Sequence, residues 1–147
     1  MNKEDELICS FMGYEREWIV EKQKFWYQIP DPLDMSVCRG FWDDELPFFK
    51  SWDYLIEVVK LAKYVHSCSD MFHTSNLEQN RKFEILCWSL THLMIPMVYD
   101  KVIELIKCFN ENKQLDINKI IMDMIHMNPN MIITGYLHCY SRPEKKV

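Results

Sequence analysis

The chain of 147 residues has the length of one domain, and its 48% apolar and 14% aromatic residues make it too hydrophobic for a disordered protein. Its formal net charge of −5 gives no general attraction to nucleic acid or to an anionic membrane. The three glycines of the chain are too few to build a glycine-rich phosphate cradle.

The sequence predicts a cytoplasmic protein without a membrane partner. It opens "MNKEDELICSFMG", which lacks the apolar core of a secretory signal, and no window approaches the roughly 18 apolar residues that span a bilayer. The six cysteines are evenly spread without a CxxC motif: Cys9, Cys38, Cys68, Cys87, Cys108 and Cys139. In a reducing compartment this spacing predicts six free, mostly buried thiols, with no disulfide, metal or cofactor.

The first 30 residues predict a short helix and a hairpin. Residues 4–12 place apolar side chains on one helical face, and Gly13 is a typical left-handed stop. In "YEREWIVEKQKFWYQI", two segments rich in aromatic and β-branched residues flank a polar turn, which predicts two antiparallel strands.

Residues 30–50 are predicted to form a long loop. Pro30 and Pro32 are expected to end the second strand, because proline cannot donate a ladder hydrogen bond. The segment contains three prolines, and the one short strand that it suggests lies near "MSVC". Long loops in compact domains often carry function.

The stretch "KSWDYLIEVVKLAKYVHS" predicts an amphipathic helix that begins after a Ser51 cap and ends between residues 66 and 69. Its apolar stripe consists of Trp52, Leu55, Ile56, Val59, Ala62 and Val65. The polar residues 67–82 are predicted to form a loop.

The second half predicts two further helices and two ambiguous segments. Pro96 suits the first turn of a helix over "PMVYDKVIELIKCFNEN", and Asp116 is expected to cap another helix that Pro129 ends. "FEILCWSLTHLM", residues 83–94, fits either a central strand or a helix. Residues 131–140 fit a last strand or an apolar helix equally well.

Three stretches carry a family resemblance: "ELICSFMGYE", "SWDYLIEVVKLAKYV" and "VYDKVIELIKCFNEN". In this order they resemble uncharacterised small bacteriophage and prophage proteins that look like the phage ABA sandwich domain. The resemblance implies an α+β fold, a single small domain with helices packed on a small antiparallel sheet. It favours a strand over residues 83–94. It further implies a core of residues 1–112 and a helix-rich extension, residues 113–147, packed on the same domain.

The patterns that could carry catalysis do not form a recognisable site, and a non-enzyme is predicted. "HSCSDMFH" supplies four metal-ligand types, His66, Cys68, Asp70 and His73, but their spacing fits no known zinc pattern, and a solvated loop is favoured. The adjacent acids of residues 43–45 are more typical of a solvated loop than of a carboxylate pair. No catalytic residue is therefore assigned.

Two segments are candidates for a binding surface. The aromatic loop is the first, with Arg39, Phe41, Trp42, Asp43, Asp44, Phe48 and Phe49 as predicted partner-binding residues. The alternative is a basic-aromatic strand for RNA or a nucleotide, with Lys22, Lys24, Phe25, Trp26 and Tyr27. For this strand the packing interpretation is favoured, in which Phe25, Tyr27 and Ile29 face the core and Trp26 points outward.

The resemblance implies an accessory protein of a phage or mobile element that acts in the host cytoplasm. The expected function is non-catalytic binding of a host or phage protein or ribonucleoprotein, with inhibition of a host defence system, such as an RNA-guided nuclease, as one class. The alternative is an RNA- or nucleotide-binding module. The oligomeric state is left open.

Overall fold

The computed structural model describes residues 2–127, with side chains described as far as residue 123. This part of the chain contains five helices and three strands in one α+β domain, as predicted. In chain order they are α1 (Lys3–Met12), β1 (Glu15–Ile19), β2 (Lys24–Asp31), β3 (Asp34–Trp42), α2 (Trp52–Met71), α3 (Leu77–Leu90), α4 (Ile95–Glu111) and α5 (Ile117–Met127).

Both ends of α1 are capped, and the cap at Gly13 is the one that the sequence predicts. The Asn2 side chain accepts a hydrogen bond from the Glu4 backbone N–H at 2.9 Å. Gly13 follows the helix with φ 72°, a left-handed conformation that glycine adopts without steric cost.

The three strands form an antiparallel sheet in the order β1-β2-β3. The predicted hairpin of β1 and β2 is confirmed, and so is the short strand suggested near "MSVC". That strand is β3, which is longer than suggested, so the prediction of a long loop is wrong for the remainder of residues 34–42. Pro30 lies within β2 opposite Cys38, and the register shifts between Pro30 and Asp31. An irregularity at the end of the ladder accommodates a residue without an N–H, so proline did not end the sheet.

Helix α4 lies at the centre of the helical layer, because α1, α2 and α3 all pack against it. The predicted helix α2 is confirmed, and it extends to Met71, beyond its expected end. Ser51 occupies the N-cap position as predicted, but its side chain makes no cap hydrogen bond. Its apolar stripe is buried at Leu55, Val59 and Val65, and the neighbouring Val58 is buried as well.

The predicted loop over residues 67–82 is confined to residues 72–76, because residues 67–71 complete α2 and α3 begins at Leu77. The predicted strand over residues 83–94 is wrong, since residues 83–90 belong to α3 and residues 91–94 follow it. The Asn76 side chain caps the first turn of α3 and accepts from the Gln79 N–H at 2.8 Å. The helical period places Leu86 and Ser89 on the buried side of α3. Packing against α4 thus decided between two patterns that the sequence fits equally well.

The helices α4 and α5 begin as predicted. Pro96 lies in the first turn of α4, and the Asp116 side chain accepts from the Lys119 N–H at 3.2 Å at the start of α5. Leu115 and Ile121 belong to the same hydrophobic core as the preceding elements. The segment 131–140, for which strand and helix were both open, lies outside the described residues.

The sheet contacts the helices through one face. Tyr27 and Ile29 of β2 are buried in the common core, and Phe41 of β3 packs edge-on against Tyr54 of α2 with ring centroids 5.5 Å apart. The predicted inward direction of Phe25, Tyr27 and Ile29 is confirmed, since Phe25 also packs against this core.

Two further findings concern the thiols and membrane spans. The prediction of six free thiols is wrong, because Cys38 is disulfide-bonded, whereas Cys9, Cys68, Cys87 and Cys108 are free. Even spacing along the chain says nothing about proximity in the fold, which is what a disulfide needs. Within residues 2–127, no helix combines the length and apolar character that crossing a bilayer requires.

Candidate functional site

The two surface candidates from the sequence lie side by side on the sheet. Trp26 of β2 is in register with Trp42 of β3, and Gln28 is in register with Gly40. Because alternate strand residues point to opposite faces, these four residues occupy the face opposite the buried Tyr27. We call this whole face of the sheet, with these four residues at its centre, the outer face. It unites residues that the sequence assigns to separate sites.

The centre of the outer face is a pair of tryptophans. The ring centroids of Trp26 and Trp42 lie 4.8 Å apart with 68° between the ring planes, an edge-to-face arrangement. Both residues are partly exposed. A methyl group added at Gly40 would overlap Cζ2 and Cε2 of the Trp26 indole, so this ring lies directly on the β3 backbone. The absence of a side chain at Gly40 therefore determines where Trp26 lies.

An ion pair joins the two candidate segments beside the tryptophans. Lys24 Nζ donates to Asp44 Oδ2 at 2.8 Å, and this bond raises the pKa of Lys24 and lowers the pKa of Asp44. Asp43 extends the ladder, because its N–H donates to the Phe25 carbonyl at 3.0 Å and its Oδ2 accepts from the Phe25 N–H at 3.1 Å. Asp43 is buried, so it supports the strand end and is not part of the exposed surface.

Other members of the predicted partner-binding set lie away from the outer face. Phe48 is fully buried and stacks on Tyr14 with ring centroids 6.3 Å apart, so its prediction as an exposed anchor is wrong. Phe41 packs inward on Tyr54. Aromatic residues after the strand were hard to assign because the sequence does not show which of them reach the core.

Arg39 and Phe49 are exposed, but each has a partner elsewhere. Arg39 Nε donates to Asp31 Oδ2 at 2.7 Å near the end of the sheet, and this pairing lowers the pKa of Asp31. Phe49 packs edge-on against Tyr99 of α4 with centroids 5.0 Å apart. Of the predicted partner-binding set, Trp42 and Asp44 are the members at the outer face.

Two of the three aromatic side chains of the basic-aromatic strand are covered by other parts of the protein. Phe25 is covered by Trp18, whose ring centroid lies 4.9 Å away, and by the Arg16 guanidinium, which lies 4.2 Å from the ring centroid. Tyr27 is only 1% exposed. Neither ring offers a face on which a nucleotide base could stack, and Trp26 alone of the three aromatic residues points outward.

Two carboxylates lie beside the tryptophan pair. Glu17 of β1 is in register with Trp26, and Glu15 is in register with Gln28, so both share the outer face. Both residues are exposed. Neither forms a salt bridge with any residue of the described part of the chain. The edge of the outer face is therefore acidic.

The segment with metal-ligand residue types is not the solvated loop that the sequence favours, because residues 66–71 belong to α2 and Cys68 is buried. His66 is buried at the junction of α2 and α3, where its Nδ1 accepts from Gln79 Nε2 at 3.1 Å. Gln79 Nε2 also donates to Ser69 Oγ at 3.1 Å, and Gln79 Oε1 accepts from Asn112 Nδ2 at 2.9 Å. Burial lowers the pKa of His66. In the part of the chain with described side chains, no group of three or more His, Cys, Asp or Glu residues is placed to hold a metal ion.

A cavity of about 1010 Å³ lies between α1 and β1. Its lining includes Cys9, Arg16 and the two acids Glu6 and Glu15. Arg16 Nη1 and Glu6 Oε1 lie 3.5 Å apart, and burial raises the pKa of the Cys9 thiol well above its ordinary value. A thiol with so high a pKa stays protonated at neutral pH and is a poor nucleophile. Cys9 is therefore not an activated nucleophile of this cavity.

Gly40 and the two glutamates were missed by sequence reasoning. A glycine between aromatic residues in a possible strand is a recognised sign of a close approach to the backbone, but the loop prediction for residues 30–50 removed that context. Glu15 and Glu17 have the alternation of a strand whose exposed side chains share one face. Their position next to Trp26 depends on strand register, which residue types alone do not specify here.

Comparison with protein-family models, with curated proteins and with solved structures finds no significant match to this chain.

Proposed function

We propose that the protein is a non-catalytic binding protein that contacts a macromolecular partner through the outer face. The observation that carries this proposal is the Trp26–Trp42 pair, which is partly exposed and lies on the sheet face directed away from the helical core. Tryptophan is among the residues that contribute most to binding energy at protein interfaces.

The magnitudes favour the aromatic pair over charge as the main source of affinity. Truncation of a buried aromatic anchor costs about 2 kcal/mol or more at a typical interface. Exposed ion pairs contribute about 0.2–1 kcal/mol each, and salt screens them. The edge-to-face contact holds the rings in place before binding, so less conformational entropy is lost in the complex.

A protein partner is favoured over RNA. Of the two lysines in the basic-aromatic strand, Lys24 is already paired with Asp44, while Phe25 and Tyr27 are packed in the protein. Lys22 and Trp26 are then the members left for a nucleic acid. One lysine beside acidic residues gives little attraction to phosphates.

The resemblance to small phage proteins supports a more specific form of the proposal. In this form the chain is an accessory protein of a phage or mobile element that binds a host protein or ribonucleoprotein in the bacterial cytoplasm. Inhibition of a host defence system, such as an RNA-guided nuclease, is the class of activity proposed. Fold resemblance alone does not carry function, so this form depends on the binding experiment.

The proposal is tested by capture of host proteins on the immobilised chain, with and without nuclease treatment of the lysate. We expect a partner that survives nuclease and whose affinity falls at least tenfold for Trp42→Ala. Trp88→Ala is the matched control, because Trp88 is 58% exposed on α3, away from the sheet. Circular dichroism of each variant verifies the fold.

Two outcomes would contradict the proposal. Equal losses for Trp42→Ala and Trp88→Ala would show that the outer face is not the binding surface. Nuclease-sensitive capture with a larger loss for the double variant Lys22→Ala, Lys24→Ala would identify RNA as the partner.

For the defence-inhibitor form, the measurement is phage plating efficiency on a host that carries an RNA-guided nuclease and expresses either the wild-type chain or Trp42→Ala.

A further inference from the structure

The acidic edge of the outer face indicates the charge of the partner segment that binds there. This inference rests on the proposed function. Glu15 and Glu17 are exposed beside Gln28 and Trp26 and have no salt bridge within the described part of the chain. A like-charged pair without compensating cations creates a negative potential at this edge. A partner with cationic side chains would neutralise this negative potential.

Lys3 lines the same cavity as Glu15 but forms no salt bridge with it, and three other basic residues near this edge are engaged or lie farther away. Lys24, whose register partner is Ile19, is paired with Asp44 at 2.8 Å. Arg16 is in register with Tyr27, so it belongs to the opposite face, where it lies near Glu6. Lys22 lies beyond the strands, in the turn of residues 20–23.

The opposite side of the sheet shows how this protein holds a guanidinium. There the Arg16 guanidinium carbon lies 4.2 Å from the Phe25 ring centroid, and its Nη1 is 3.5 Å from Glu6 Oε1. One arginine thus contacts an aromatic ring and a carboxylate together. The outer face offers an aromatic ring and a carboxylate as well, since Trp26 and Glu17 are direct cross-strand partners.

We propose that the outer face binds an arginine-bearing, extended segment of a partner protein, in which a guanidinium stacks on Trp26 and pairs with Glu17. Arginine fits better than lysine, because its planar guanidinium stacks on an aromatic ring while donating to a carboxylate. Glu15 and Glu17 are separated by one residue of a strand, about 7 Å, which equals the spacing of alternate side chains in an extended peptide. The second glutamate therefore matches an arginine two positions along the segment.

The test uses a fluorescein-labelled peptide of seven residues in which arginine and glycine alternate, measured by fluorescence anisotropy. We expect saturable binding that weakens at least threefold when citrulline, a neutral isostere, replaces arginine. We expect a similar loss for the double variant Glu15→Gln, Glu17→Gln. The matched control is Glu78→Gln with Glu111→Gln, which removes the same charge from exposed positions on α3 and α4.

Each outcome decides the inference. Equal binding of the arginine and citrulline peptides, or equal losses for the two double variants, would overturn it, the second because net charge alone would then explain the binding. Direct binding of a fluorescein-labelled single-stranded oligonucleotide to wild-type protein, lost in Trp26→Ala, would overturn it in favour of a nucleic-acid site. Loss of peptide binding in Trp26→Ala, with no loss in Trp88→Ala, is expected in addition.

The same variants separate this inference from the proposed function. If Trp42→Ala loses the host partner but the Glu15→Gln, Glu17→Gln protein retains it, the outer face binds the partner, and the proposal that arginines of the partner pair with the two glutamates is wrong. If Trp42→Ala retains the host partner, the proposed binding surface itself is wrong.

Discussion

Replacement of Gln79 by leucine should destabilise the protein by about 2–4 kcal/mol. Gln79 is fully buried, and its amide makes three hydrogen bonds, to His66, Ser69 and Asn112. A typical hydrogen bond contributes about 1 kcal/mol net, and a buried polar group left without a partner costs about 1–3 kcal/mol. Leucine has a similar volume, so little of the loss should come from a cavity.

Two of the three partners should each contribute only about 1 kcal/mol to this destabilisation, because they keep another hydrogen bond in the variant. Ser69 Oγ keeps its contact with Thr74 Oγ1 at 3.0 Å, and Asn112 Nδ2 keeps its bond to the Thr74 carbonyl at 2.8 Å. His66 Nδ1 loses the partner to which it is bonded. The largest single contribution to the destabilisation should therefore come from the His66 side.

Urea denaturation followed by far-UV circular dichroism measures this effect at neutral pH. Gln114→Leu is the matched control, since Gln114 is exposed and its replacement should change the free energy of unfolding by less than about 0.5 kcal/mol. A Gln79→Leu protein with the unfolding midpoint of the wild type and an unchanged slope would show that the network does not stabilise the helix junction as reasoned.

Four further predictions follow from the described residues. Burial holds the pKa of His66 below its unfolded value of 6.5, so the stabilisation that neutral His66 gives the folded protein is complete above about pH 6.5 and is lost as the pH falls below it. His66→Gln should therefore make the free energy of unfolding less dependent on pH between pH 7 and pH 5. Asn76→Ala should cost about 1 kcal/mol, whereas Ser51→Ala should cost little, because the Ser51 side chain makes no cap hydrogen bond; equal midpoint shifts would refute this contrast. Leu55→Ala should cost about 2–5 kcal/mol in the same urea assay, and an unchanged midpoint would show that α2 is not packed on the core. Thiol titration in denaturant should find fewer than six reactive thiols before reduction and six after it, since Cys38 is disulfide-bonded; six before reduction would contradict the bond.

Strong local patterns made several elements predictable from the sequence. The 3.6-residue period of α2 and α4, the Gly13 stop and the Asp116 cap each depend on residues close together in the chain. The alternation of Phe25 and Tyr27 around Trp26 likewise predicts which side chains face inward. Such features follow from local backbone geometry and the burial of one face.

Only the tertiary structure decided the state of residues 83–94 and the composition of the candidate site. The segment 83–94 fits two periods, and its burial against α4 selected the helix. Trp26 and Trp42 are far apart in the chain, and they meet because β3 pairs with β2 in one register, with Gly40 leaving room for the indole. A shift of one residue would have turned one tryptophan toward the core, and strand register is a property of the paired strands that neither segment specifies alone.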